Sequence, residues 1–146
     1  MKNNKGFTLI ELLAVIVILA IIALIATPTI LGVIEKARKG AAESSALGYL
    51  DAVEKQIALD LIETNADDKV IVTGDTITTP ITVTEELTGK LNVKSGDSIK
   101  SGSIVLDTDK GSVVTGTCLV VTSSGNTYKV TYDGSKAAAV KGDSCA

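Results

Sequence analysis

The feature that most constrains this sequence is an apolar run that begins directly after Glu11. Residues 12–34 contain no charged side chain, and most of them are aliphatic. As an α-helix the run would be roughly 35 Å long, slightly more than the hydrocarbon core of a bilayer, which is about 30 Å thick. The run therefore predicts a helix that is able to span a membrane.

Three ordinary explanations of such a run fit this sequence poorly. A cleaved secretory signal would need a small-x-small cleavage site, and the spacing of Ala23 and Ala26 does not provide one. A buried helix of a soluble domain would need a large surrounding core, but the chain has one Phe, three Tyr and no Trp. A plain membrane anchor gives no reason for Glu11, because a carboxylate at the bilayer centre costs on the order of 3 kcal/mol. Glu11 is therefore a candidate functional residue.

The residues around Glu11 form a recognisable string. Residues 5–11 read Lys-Gly-Phe-Thr-Leu-Ile-Glu, after a short basic leader and before the apolar run. This arrangement resembles the prepilin processing motif of type IV pilins and type II secretion pseudopilins, and the resemblance covers about residues 1–62. It implies that a prepilin peptidase cuts between Gly6 and Phe7 on the cytoplasmic side. It also implies that the same enzyme methylates the new Phe7 amine.

The resemblance further implies that Glu11 acts in subunit assembly. An unpaired carboxylate and an unpaired ammonium are both unfavourable in hydrocarbon, so Glu11 of one subunit would pair with the Phe7 amine of another. The low dielectric would strengthen that attraction. The alternative is that Glu11 pairs with the amine of its own chain, one helical turn away.

The positive charges around the apolar run do not settle its orientation in a membrane. Lys2 and Lys5 precede the run and would tend to hold the leader on the cytoplasmic face. Lys36, Arg38 and Lys39 follow it and place at least as much positive charge on the other side. The orientation is therefore predicted from the processing motif and not from charge.

From Glu35 the pattern becomes amphipathic, which predicts one helix from about Phe7 to Ile62. Its apolar stripe would pack on a globular head and comprises Ala46, Leu47, Leu50, Val53, Ile57 and Leu61. Pro28 lies inside the helix and predicts a kink, because it removes a backbone hydrogen bond. This is either a simple kink or, as the resemblance implies, a place where the helix loosens in the filament.

The chain after the helix is rich in Val, Thr, Gly and Ser, a composition typical of short strands and turns. Pro80 indicates an edge strand or a bent one. The predicted fold class is α+β, with a long N-terminal helix packed on a small antiparallel sheet, which is the type IV pilin fold. The predicted strands are 70–73, 76–84, 103–108, 113–122, 127–133 and a short strand at 137–140. The predicted divisions are a leader (1–6), a membrane or filament-core half-helix (7–34), an amphipathic half-helix (35–62) and a β-rich head (63–146).

Cysteine and acidic residues in the head offer few further candidates. In an exported protein Cys118 and Cys145 favour a disulfide, which resembles the C-terminal disulfide loop of many pilins; two free thiols are the alternative. The acidic spacing of Asp107 and Asp109 is like the start of a calcium loop but lacks a third ligand, so a solvated turn is favoured.

Other residue patterns argue against catalysis and against nucleic-acid binding. The chain has no His, no Gly-rich phosphate loop and no nucleophile beside a base, so neither an enzyme, a cofactor nor a metal site is predicted. The head has 8 Lys against 11 Asp and Glu, which disfavours nucleic acid as a partner.

The resemblance leaves two main function classes. The first is the structural subunit of an extracellular type IV pilus that serves adhesion, motility or surface colonisation. The second is a pseudopilin of a type II secretion or competence machine, and a membrane-tethered binding module is a weaker third. The first is favoured by a sizeable head with an expected disulfide. Its expected partners are the prepilin peptidase, an inner-membrane assembly platform and further copies of the chain in a helical filament. Its expected location is the cytoplasmic membrane and then the pilus.

Overall fold

The computed structural model describes residues 6–73, 76–91, 93 and 97–145. The chain forms two compact units, Met1–Ala37 and Arg38–Ala146. Helix α1 (Leu9–Ile62) runs through both of them. The remaining elements belong to the second unit, and the α+β class predicted from the sequence is confirmed.

Between Leu12 and Ile34 α1 is apolar on all sides, and its large side chains are exposed in the isolated chain. A helix suits such a sequence in a membrane, because it satisfies its backbone polar groups internally. Pro28 lies inside α1, and the adjacent Thr27 hydroxyl donates a 2.7 Å hydrogen bond to the carbonyl oxygen of Ala23.

In the second unit one face of α1 is buried. The buried side chains recur at spacings of three and four and comprise Ala42, Ala46, Tyr49, Leu50, Val53, Ile57 and Asp60. The predicted stripe was wrong at Leu47 and Leu61, which are 38% and 48% exposed. Leu47 and Leu61 lie at one edge of the predicted stripe, whereas the buried Tyr49 and Asp60 lie beyond its opposite edge. The buried face is therefore rotated around the helix axis relative to the prediction.

The sheet has five antiparallel strands in the order β1-β2-β3-β4-β5, so each strand pairs with its neighbour in sequence. The strands are β1 (Ile81–Val83), β2 (Ser98–Ile104), β3 (Thr117–Ser123), β4 (Asn126–Tyr132) and β5 (Ala137–Lys141). Strands β3 and β4 form a hairpin, in which Ser123 pairs with Asn126. Ser124 and Gly125 between them both have positive φ, as a two-residue hairpin turn requires.

Several predicted bounds in the head were wrong. The strand predicted at 76–84 covers only Ile81–Val83, the strand predicted to end at residue 108 ends at Ile104, and the strand predicted to begin at residue 113 begins at Thr117. Residues 70–73 do not form a strand, and Thr73 makes only an isolated bridge with Thr76. The strand predicted to begin at Ser103 begins at Ser98. A short helix, α2 (Glu85–Lys90), was not predicted, although Thr84 caps it by accepting a hydrogen bond from the Leu87 N–H.

The core lies between the buried face of α1 and one face of the sheet. Leu119, Val121, Tyr128 and Val130 on β3 and β4 belong to the same buried cluster as Tyr49 and its neighbours on α1. Cys118 and Val120 alternate with these residues along β3, and they are also buried. The C-terminal residues return to β3, where Cys145 is bonded to Cys118.

Candidate functional site

The start of α1 is closed by a reciprocal set of hydrogen bonds between Thr8 and Glu11. The Thr8 N–H and the Thr8 hydroxyl both donate to Glu11 Oε2, at 2.8 and 2.7 Å. The Glu11 N–H donates in turn to Thr8 Oγ1 at 3.4 Å. This is a capping box, in which residues three apart satisfy backbone N–H groups that lack partners within the helix.

The capping box gives Glu11 a local structural role that the sequence argument missed. The signal was present, because Thr8-Leu-Ile-Glu11 before an apolar run has the spacing of a capping box. The position also places a negative charge near the positive end of the helix dipole. A carboxylate has two oxygens, each able to accept more than one hydrogen bond, so capping is compatible with pairing to an ammonium.

Gly6 and Phe7 lie before the helix, on exposed backbone without regular structure. The Phe7 side chain is 89% exposed. Apart from the chain neighbours of Gly6, no atom of the described residues lies within 4 Å of where a Cβ on Gly6 would be. The peptide bond between them is therefore accessible, whereas the bonds from Leu9 to Ile62 lie within α1. The rest of the predicted leader, with Lys2 and Lys5, lies outside the described residues.

The apolar segment after Glu11 is long and apolar enough to cross a membrane, by length and composition. Between Leu12 and Ile34 its large aliphatic side chains are exposed, for example Leu24 at 79%. A soluble monomer rarely exposes so large a continuous apolar surface. This surface indicates contact with lipid, with other protein chains, or with each in turn.

Three carboxylates of α1 bind backbone N–H groups of the head, and the sequence argument identified none of them. Glu43 Oε1 accepts a hydrogen bond from the Ala139 N–H of β5 at 2.9 Å. Glu54 Oε1 accepts one from the Val113 N–H at 2.6 Å. The third is Asp60. Together they attach the helix to the sheet and its loops by charge-assisted hydrogen bonds, which add direction to apolar packing.

Asp60 is buried, with 1% of its surface exposed, and accepts four hydrogen bonds. Asp60 Oδ2 accepts from the N–H groups of Val70, Ile71 and Val72 at 3.0, 2.6 and 2.9 Å. Asp60 Oδ1 accepts from Gln56 Nε2 at 2.7 Å. Burial is the largest single influence and acts to raise the pKa of Asp60, but the four hydrogen bonds outweigh it. The pKa lies below its ordinary value of 3.8.

The other candidates from the sequence occupy separate places in the second unit. Cys118 and Cys145 are joined in a disulfide, with their Cα atoms 5.9 Å apart. Asp107 Oδ1 accepts hydrogen bonds from the N–H groups of Asp109 and Lys110 at 3.0 and 3.3 Å, so this carboxylate caps its own turn. Among the described residues, no group of three or more acidic or cysteine side chains is arranged to hold a metal ion.

Comparison with known proteins agrees with the N-terminal geometry. Residues 1–27 match the family described as the prokaryotic N-terminal methylation motif. The type IV wide pilus major component PilA4 of Thermus thermophilus is 51% identical over 57 residues. That stretch is 38% of this chain and 40% of the length of the relative. No solved structure matches the chain significantly.

Proposed function

We propose that this chain is a type IV pilin and the structural subunit of an extracellular type IV pilus. The match of residues 1–27 to the N-terminal methylation motif and the similarity to PilA4 support this proposal. The precursor is held in the cytoplasmic membrane by the apolar part of α1. A prepilin peptidase removes residues 1–6 and methylates the Phe7 amine, and an assembly platform in the inner membrane adds the mature subunit to a helical filament. The filament serves adhesion, motility or surface colonisation.

The observation that carries this proposal is an accessible peptide bond shortly before a capped helix whose residues 12–34 are free of charge. Gly6 and Phe7 are exposed and non-helical, and Glu11 is fixed one turn into α1. Cleavage there would create an ammonium group on Phe7 close in sequence to a carboxylate. In the filament, residues 7–34 would form the apolar core, residues 35–62 would carry the head, and residues 63–146 would form the outer surface.

We assign the charge of Glu11 to recognition between subunits. The carboxylate of one subunit neutralises the Phe7 ammonium of a neighbour in the filament core, where either charge alone would be unfavourable. The pair would therefore set the axial register between subunits. The hydrogen bonds from Thr8 fix the position of the carboxylate at the start of the helix and so preorganise it for this contact.

Two substitutions separate the capping role of Glu11 from its charge. Glu11→Gln keeps a side chain that can complete a capping box but removes the charge, whereas Thr8→Ala weakens the box and keeps the charge. We expect Glu11→Gln to be cleaved normally and to yield at least tenfold fewer sheared fibres, and Thr8→Ala to yield nearly as many as wild type. Normal fibre yield from Glu11→Gln would contradict the proposed charge pairing.

Deletion of the gene distinguishes a pilus subunit from a pseudopilin. For a pilus subunit, we expect the wild-type chain to be the most abundant protein in sheared surface fibres, and deletion to remove those fibres. Restored fibres on complementation are the control. Loss of protein secretion or of DNA uptake, with surface fibres intact, would instead identify a component of a secretion or competence machine.

A further inference from the structure

Three cations lie just beyond the apolar segment of α1 and have no part in the assembly step proposed above. Lys36, Arg38 and Lys39 follow within five residues of Ile34, where the charge-free run ends. Lys36 is exposed, and Arg38 and Lys39 are half-buried. We refer to these three residues as the basic collar. If residues 12–34 span the hydrocarbon core, the collar lies at the level of the lipid headgroups.

The collar is spread around the helix and forms no ion pair with the residues that the structure describes. Successive helical residues are rotated by about 100°, so Arg38, Lys39 and Lys36 cover roughly 160° of the circumference of α1. In the described parts of the chain, no carboxylate lies within ion-pair distance of any of the three. A wide arc of cations suits several small anionic groups around an emerging helix better than one flat partner surface.

We propose that the basic collar binds anionic phospholipid headgroups on the head side of the membrane before the subunit joins the filament. This inference rests on the membrane-inserted precursor of the proposed function. The aliphatic stems of Lys and Arg can lie along apolar surface while their charges reach the phosphate layer. The Arg38 guanidinium can bind a phosphate through two parallel hydrogen bonds.

The collar would also give a role to the positive charges after the apolar run, which prevent the orientation from being predicted from charge alone. Cleavage after Gly6 would remove Lys2 and Lys5, whereas the collar would stay with the mature chain. The mature subunit would then be held at one membrane surface by the collar and at the other by the Phe7 ammonium. Each subunit would have to release its collar lipids when it leaves the membrane.

The test uses the full chain in nanodiscs that contain equal amounts of phosphatidylcholine and phosphatidylglycerol. Native mass spectrometry of the released protein counts the molecules of each lipid that remain bound. Each Lys or Arg near an anionic membrane surface strengthens binding to that surface about fivefold. We therefore expect the wild-type chain to prefer phosphatidylglycerol, and the Lys36→Gln/Arg38→Gln/Lys39→Gln variant to lose at least about fivefold of that preference.

Two further variants control for net charge and for the kind of cation. Lys100→Gln/Lys129→Gln/Lys141→Gln removes the same charge from the strands of the sheet and should keep the preference of the wild type. Lys36→Arg/Lys39→Arg should also keep it. Circular dichroism shows whether each variant is folded.

Two results would overturn the inference in distinguishable ways. If the wild-type chain enters the nanodiscs but retains the two lipids equally, lipid binding by the collar is contradicted and the proposed function is not. An unchanged preference for phosphatidylglycerol in the collar variant would have the same meaning. A collar variant that keeps its lipids but forms no fibres would show that the collar contacts a second copy of the chain. Failure of the wild-type chain to enter nanodiscs at all would contradict the membrane-inserted precursor, and the inference with it.

Discussion

At the scale of single residues, the decisive side chains of this protein are carboxylates that bind backbone N–H groups. Glu11 does so at the start of α1, and Asp60 does so near its end. Glu11 could be singled out from the sequence, because apolar residues precede and follow it and a carboxylate is unfavourable in a membrane. Asp60 could not, since its partners lie about ten residues further along, in a segment that was predicted to be a strand.

The Thr8 hydroxyl stabilises the first turn of α1 by accepting the Glu11 N–H. Loss of such a cap costs about 1 kcal/mol, which corresponds to roughly fivefold. We therefore expect Thr8→Ala to speed hydrogen exchange at the Glu11 amide about fivefold in detergent micelles, as measured by NMR. Thr8→Ser keeps the hydroxyl and should exchange like wild type. Equal exchange in all three proteins would contradict the capping role.

Asp60 holds the segment of residues 70–72 against α1 through its ionised carboxylate. Replacement by Asn removes the charge and leaves a single acceptor oxygen, so we expect Asp60→Asn to lower the free energy of unfolding by about 2 kcal/mol or more. Asp51→Asn is the matched control, because Asp51 is exposed on the same helix. Denaturant unfolding of the full chain in detergent measures both. Equal effects would contradict the account.

The same carboxylate predicts how stability depends on pH. The pKa of Asp60 is lower in the folded chain than its ordinary value of 3.8, so the unfolded chain binds the proton more tightly. The stabilisation is therefore complete well above pH 3.8 and is lost as the pH falls below it. In the Asp60→Asn variant this part of the acid dependence should be absent. If the variant lost stability at low pH as the wild type does, the pH dependence would have to come from other carboxylates.

At the scale of elements, the sequence predicted best where one strong local signal dominates. Strands β4 and β5 were predicted to within one residue, because apolar and polar residues alternate along β4 and a Gly-containing turn precedes it. Strand β3 begins at Thr117, four residues later than predicted. The segment 70–73 has the same apolar composition, yet its N–H groups bind Asp60 and not a neighbouring strand. Strand β2 extends back to Ser98 because β3 supplies partners that local composition does not reveal.

At Gly102 the backbones of β2 and β3 approach each other closely. A Cβ at this position would overlap the carbonyl oxygen of Cys118 and would lie 2.9 Å from Leu119 Cα. We expect Gly102→Ala to lower the free energy of unfolding by about 2 kcal/mol, since neither backbone atom can move without distorting β3. At Gly48, on an exposed face of α1, a Cβ would meet no atom within 4 Å outside the helix backbone and the chain neighbours. Gly48→Ala should therefore raise the free energy of unfolding by about 1 kcal/mol. Denaturant unfolding that gave both changes the same sign would contradict this contrast.

At the scale of the whole molecule, the chain combines an apolar helical segment with a small folded head. Composition alone indicated this division, since the charge-free run and the Val- and Thr-rich region are separate in the sequence. Composition could not predict which carboxylates bind α1 to the head, because their partners are the backbone N–H groups that the sheet leaves unpaired. The disulfide closes the head by tying its C-terminal tail to β3.

Removal of the disulfide tests how much the tail contributes to the head. The bond joins residues 27 positions apart, and closing a loop of that size stabilises a fold by about 3 kcal/mol. We expect Cys118→Ser/Cys145→Ser to lower the free energy of unfolding by about that amount in denaturant titrations of the full chain. Wild-type chain with reductant should behave like the variant. Equal stability of the oxidised wild type and the variant would contradict a stabilising disulfide.

The central claim is that this chain is cut after Gly6, methylated on Phe7 and built into a filament. The most direct measurement is the intact mass of the protein in fibres sheared from the cell surface. The account predicts the mass of residues 7–146 with one added methyl group and with both cysteines oxidised. A full-length mass, a different N-terminus, or the absence of this chain from the fibres would contradict it.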